Sequence, residues 1–236
     1  MSGDELGSTA LKATTQSTAR AAGSGPSGWS RILAESVLIV FSILLALFVD
    51  QWREGLRLDR LRDRAIADIH EEIENNRMAV DSAVGYHTAV RDSLGILWQR
   101  IERSGSGGQP GFNLIAAVAP LGIRPPAIRR TAWETAISTD AVTLMDYSLI
   151  YRLGGLYDTQ TTGVESTLAR IQDFVFDPML FEPARAGTAV RMIHALVSEL
   201  AGQEYYLSAH YDSVLTDPAF AGSSASAAST VAPGAQ

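Results

Sequence analysis

The sequence predicts an all-α protein in which a single N-terminal transmembrane helix continues into an antiparallel four-helix bundle. Three observations predict it. Val37 to Val49 (VLIVFSILLALFV) is an apolar run with one polar residue, Ser42. Beyond it, apolar residues recur three and four positions apart, the spacing of one helix face. The stretches between helix-breaking residues, 50–80, 82–103, 146–176 and 186–216, have matching lengths of about 33 to 46 Å as helices and so suit side-by-side packing.

The membrane segment comes first. Extended back to Ile32, the run is interrupted only by Glu35 and Ser36. At ~1.5 Å per residue it covers about 27 Å, close to the ~30 Å hydrocarbon core of a bilayer. Trp29 and Trp52 stand outside its two ends, where indoles favour the headgroup level. Asp50-Gln51-Trp52-Arg53 follows, not a small-residue cleavage site, so the run reads as an uncleaved anchor over residues 29–52. Residues 1–28, rich in Ser, Thr, Ala and Gly, bury too little surface to offset the entropy of ordering. Residues 218–236 have the same character, and both tails are expected to be disordered.

The soluble domain spans residues 53–217. Ile66, Ile69, Ile73, Val80, Ala83, His87, Val90, Leu94, Leu97 and Ile101 form one seam, on which Asn76 also falls. Asp81, Ser82 and Gly85 predict a helix break within that seam. Without the break, the exposed part of the seam from Val80 to Ile101 would need a second chain to cover it. A Gly/Pro-rich connection covers 104–126, with Phe112 to Val118 as an apolar island docked on the domain. Thr131 to Leu144 reads as a short helix and turn. Asp146 is placed to cap the next helix, whose stripe is Leu149, Leu153, Leu156, Val164, Leu168, Ile171 and Val175. Gly154-Gly155 within it suggests close packing or a kink. Pro178 and Pro183 close that stretch. The last stripe is Val190, Ile193, Val197, Leu200, Leu207, Tyr211 and Val214, stopped by Asp217-Pro218.

Composition bounds the chemistry. Nineteen Lys and Arg against 26 Asp and Glu give a net charge of −7, which argues against a nucleic-acid partner. The chain has no cysteine, which removes disulfides and thiolate metal sites. No catalytic triad and no Gly-rich phosphate loop stand out, so neither a catalytic residue nor a cofactor is assigned and no enzymatic activity is expected. The acidic stretch Asp68 to Glu74 reads as a solvated face. His70 and Glu74 with His194 are the one combination from which a metal-carboxylate enzyme would be assembled, but no His has a Glu three residues before it, and no metal ligand is assigned. His87 reads as a core histidine and Trp133 as a plug for the bundle. Glu35, four residues after Arg31 on the same helix face, reads as one half of an exposed or interfacial ion pair, with a role in helix association or ion passage as the alternative. Asp50 reads as an interface residue.

Two stretches carry a family resemblance. Glu35…Val37-Leu-Ile-Val…Asp50-x-Trp52-Arg53 leads through a charged helix to Glu71-Glu72-x-x-Asn75-Asn76-Arg77, and Thr131-Ala-Trp-Glu-Thr-Ala-x-Ser-Thr139 is followed by Leu144-Met-Asp146. Together they resemble a group of uncharacterised single-pass bacterial membrane proteins with a Glu near the start of the anchor and Asn/Asp-x-Trp at its exit. The resemblance implies a bacterial inner-membrane setting and carries no activity. Arg53, Arg57, Arg60, Arg62 and Arg64 outnumber Lys12, Arg20 and Arg31, which by the positive-inside tendency favours a cytoplasmic domain. The basic N-terminal flank of the resembling proteins implies the opposite. Because the C-side arginines alternate with acids in a folded helix, the extracytoplasmic side is the expectation. The function expected is a membrane-anchored interaction or sensory module with a protein partner. A second copy of the chain is a further candidate partner, and an oligomeric channel component the other alternative.

Overall fold

A computed structural model describes residues 28–104, 109–218 and 220. All regular structure among these residues is helical. The long elements are α1 (Gly28–Ser104), α4 (Tyr147–Thr159), α5 (Ser166–Val175) and α6 (Ala186–Leu215), with two short helices, α2 (Gly111–Val118) and α3 (Thr131–Ser138). A π-helical turn, Gln160–Glu165, joins α4 to α5, and short 3-10 turns occupy Ala141–Leu144, Pro178–Phe181 and Pro183–Arg185. The chain divides into two units, Met1–Trp52 and Arg53–Gln236.

The expected N-terminal tail lies outside the described residues, except that Gly28 opens α1. The expected C-terminal tail also lies largely outside them, with one correction. Phe220 is fully buried and its ring centroid stands 5.1 Å from that of His70. Burial of one phenyl ring holds the chain past the proline that was taken as its end.

In the first unit α1 is apolar and uncovered. Side chains from Ile32 to Asp50 are all exposed, and the most apolar 18-residue window has a mean hydropathy of 2.7 with none of it buried. Its helix is long and apolar enough to cross a membrane. Ser42 satisfies its hydroxyl within the helix by donating to the Leu38 carbonyl at 2.8 Å.

In the second unit α1 runs on to Ser104 without interruption. This overturns the expected break near Asp81–Gly85: the first two of the four expected bundle helices are one helix. The reason is energetic. A helix-interior glycine costs about 1 kcal/mol relative to alanine, whereas each large apolar side chain buried on either side contributes roughly 1.5–3 kcal/mol. Val80 and His87 are fully buried around Gly85, and Val90 nearly so. Asp81, expected to cap a new helix, is instead hydrogen-bonded by the Ser208 hydroxyl.

The uncovered seam foreseen for an unbroken helix does not arise either. Val80 to Ile101 is covered by the chain's own α6. Contacts between the two helices pair Arg77 with Asp212, Asp81 with Ser208, His87 with Glu204, Gly95 with His194 and Ile101 with Gly187, so numbers rise on α1 as they fall on α6. The predicted apolar stripes are the observed core on all three long stretches, apart from Ala83, which is half-buried, and Val175, which is exposed while Phe174 is buried.

The π turn explains how α4 and α5 share one face. Leu156, Gln160, Val164 and Leu168 are all buried at successive steps of four. In an α-helix each such step overshoots by about 40°, and three in a row would carry Leu168 off the core. A wider turn absorbs the drift. Gly154 and Gly155 do not mark close packing: α4 passes through both, and no atom of another element lies within 4 Å of where a Cβ would stand. Asp146 caps α4 as expected, accepting from the Ser148 N–H at 2.8 Å.

Candidate functional site

Two of the three buried polar residues of α1 gather beside α3. Glu72 and Asn76 lie one turn apart on the core face, between Ile69, Ile73 and Val80. Burying a carboxylate and an amide there is costly unless their bonding capacity is filled. Glu72 Oε1 accepts from the Tyr157 hydroxyl at 2.8 Å and Oε2 from the Ala132 N–H at 2.9 Å. The Asn76 amide pairs with the backbone of Arg129 in both directions: Nδ2 donates to the carbonyl at 2.6 Å and Oδ1 accepts from the N–H at 2.8 Å. Gln160 Nε2, on the π turn, approaches the same carbonyl at 3.4 Å. The Tyr211 hydroxyl on α6 donates to Gln160 Oε1 at 2.9 Å. One network thus ties α1, the segment leading into α3, α4 and α6 together.

This environment acts on the phenols. Burial raises Tyr157 well above the ordinary tyrosine range, and the charge and hydrogen bond of Glu72 add to the shift. Tyr211 is raised chiefly by burial. Trp133 lies flat on Tyr157, with ring centroids 5.5 Å apart and planes within 7°, so its indole covers the Glu72–Tyr157 pair from outside.

A groove of about 690 Å³ opens over this network. Asp68, Glu71 and Asn75 form its α1 wall, and Thr131, Thr135 and the Arg129 segment face them. A second groove of about 330 Å³ adjoins it at Ala79 and Ala127 and reaches Tyr86 and Arg124. The walls therefore combine carboxylates, amides and hydroxyls with Arg129, Ala79, Ala127 and Ala132 in a concave surface. The acidic stretch Asp68 to Glu74 is only partly the solvated face expected: Asp68, Glu71 and Glu74 are exposed, but Glu72 is buried and fully bonded.

His87 is a core histidine, as read, and its partner is Glu204. Both are fully buried, with His87 Nδ1 at 2.9 and 2.8 Å from the two carboxylate oxygens. Since the carboxylate accepts, Nδ1 carries the hydrogen. His87 Nε2 has no hydrogen-bond partner among the described residues.

The metal-enzyme combination is not assembled. His70 lies 3.8 Å from Glu74, but His194 packs on Gly95 and Trp98, about 38 Å further along α1 at its helical rise. Among the described residues no three His, Asp or Glu side chains are grouped to hold a metal ion. Of the membrane-edge residues, Trp29 and Trp52 are exposed at 80% and 63%, and Glu35 and Asp50 are exposed too. Arg31 belongs to α1, with its side chain outside the described part. Structure adds Glu72, Tyr157, Gln160 and Glu204 to the residues of interest. Glu204 falls on the α6 stripe between Leu200 and Leu207, Glu72 on the α1 seam between Ile69 and Asn76, and Tyr157 four residues after Leu153, so the helical spacing marked their burial but not their partners.

No family model matches this chain, and no curated protein or solved structure matches it significantly.

Proposed function

We propose that this chain is a non-enzymatic, membrane-anchored antiparallel helical bundle that docks a protein partner or senses a ligand through the groove above Glu72 and Asn76. One observation carries the reading. The two stretches quoted for the family resemblance, Glu71–Arg77 and Thr131–Thr139, lie far apart in sequence, yet Glu72 bonds directly to Ala132 and both stretches line the same groove. The apolar helix supports membrane anchoring, and the opposed numbering of α1 and α6 contacts supports the antiparallel arrangement. A bacterial inner membrane, with the soluble unit on its extracytoplasmic side, follows from the resemblance and from the acids interleaved with Arg53 to Arg64.

Affinity capture from intact membranes tests it, comparing the native chain with an Asp68→Lys, Glu71→Lys variant. Both positions are exposed, so the variant keeps its fold while the charge of one groove wall is reversed. A partner held by the native chain and lost from the variant is the expected result. Recovery of the same partner set by both chains would remove the groove from the function.

A further inference from the structure

Apart from the groove above Glu72, α2, α5, α6 and the Pro178–Phe181 turn enclose a cavity of about 260 Å³ with no polar side chain in its lining. Ala119, Phe174, Leu180 and Ile193 are buried along it, and Phe112 and Val175 stand exposed at its mouth. The space is held open at both ends of α2. At the start of that helix Gly111 lies so close to α6 that an added Cβ would stand 2.9 Å from that of Ala189. Past its end the chain turns at Gly122, whose φ of 66° suits glycine. The Tyr86 hydroxyl of α1 donates to the Gly122 carbonyl at 2.6 Å and fixes that turn. With both ends pinned, α2 cannot settle onto α5, and the wall side chains forfeit dispersion contacts across the gap. A molecule that fills the gap restores them.

We propose that this cavity binds a medium-chain fatty acid, its hydrocarbon tail inside and its carboxylate at the mouth beside Arg124. The wall decides the tail. A polar group placed inside would meet no side-chain partner and would be buried at a cost, so the inserted part is hydrocarbon. Size decides its length. The cavity's 260 Å³ falls between the ~150 Å³ that takes up benzene and the ~300 Å³ at which drug-sized pockets begin. A short chain fits, and a sterol or a whole phospholipid does not. Charge decides the head group. Ile123 lines the cavity, and the next residue, Arg124, is exposed and pairs with no carboxylate among the described residues. A free guanidinium one residue beyond an apolar lining matches an amphiphile with an anionic end.

Decanoate carrying a photoreactive diazirine at its tail end, irradiated with the full chain in lipid vesicles, tests the site by peptide mass spectrometry. Label on residues 112–123, 174–180 and Ile193 should saturate as the probe is raised, and excess unlabelled decanoate should displace it. Label on the apolar residues 32–49 reports probe dissolved in lipid and should rise without saturating. Ala116→Trp, at an exposed position of the lining, sets an indole in the mouth and should remove the cavity label while helical circular dichroism stays native. Should that variant unfold, saturation and displacement in the native chain decide alone. Arg124→Gln should raise the decanoate needed for displacement and leave the decanol needed unchanged. Label confined to 32–49, cavity label that never saturates, or cavity label surviving in a folded Ala116→Trp chain would each overturn the site. Displacement by decanoate that ignores Arg124→Gln would overturn the fatty acid as its ligand.

Discussion

At the scale of residues, a few buried polar groups tie the helices of an otherwise apolar core to one another. The hydrogen bond from Tyr157 to the Glu72 carboxylate is charge-assisted, a class worth about 1.5–3 kcal/mol. Tyr157→Phe should lower unfolding stability by that amount in chemical denaturation, since it strands one carboxylate oxygen while leaving the ring to stack on Trp133. The same burial predicts behaviour at high pH. Tyr157 and Tyr211 are raised in the folded state, so unfolded chains release these protons near the ordinary tyrosine value of about 10 while folded chains keep them. Their contribution is complete below that value and falls as pH rises through it. In an alkaline absorbance titration, two of the seven tyrosines should ionise only as helical circular dichroism is lost.

At the scale of elements, the π turn makes a sharp prediction. The buried positions Leu156, Gln160, Val164, Leu168 and Ile171 step by four, four, four and three. Deleting Thr162, an exposed residue of the turn, changes the steps to four, three, four and three, the pattern of an uninterrupted α-helix. That deletion should leave helical circular dichroism and thermal unfolding close to native. Deleting Ala169, also exposed, shortens the last step to two and turns Ile171 away from the core, and it should lower the melting temperature strongly. The stripes themselves were legible in the sequence because hydrophobic burial follows a fixed period. The fate of Gly85 was not, because a local break signal says nothing of the packing set against it. Glu72 and Asn76 were illegible as a site for a related reason: their partners stand 60, 85 and 53 residues away, and two of those three partners offer main-chain groups that no side chain advertises.

At the scale of the second unit, the continuous α1 replaces the doubled-back hairpin expected from sequence. Ile66 and Leu97 are both core residues on one helix, 31 positions apart, or about 46 Å at the helical rise. Paired spin labels at exposed neighbours, Ala67→Cys being excluded by its half-buried position, can be set at Arg64 and Gln99, 35 positions apart. They should report roughly 52 Å. A separation near one helix–helix spacing of ~10 Å would restore the hairpin. The all-helical class and the core stripes were thus readable, while the number of helices was not, because it turned on the packing around one marginal glycine.

The Asn76 clasp bears on how such a protein changes over generations. Asn76 recognises Arg129 only through its main chain, and Glu72 does the same with Ala132. Positions 129 and 132 are therefore constrained in backbone and loosely constrained in identity. In a saturation scan scored for folded protein, Asn76 should reject Asp, which cannot donate, and Leu, which can do neither. Arg129 should accept most replacements and reject proline, whose ring removes the N–H that Asn76 requires. Two neighbouring points of one contact would then drift at very different rates, one nearly invariant and the other almost free.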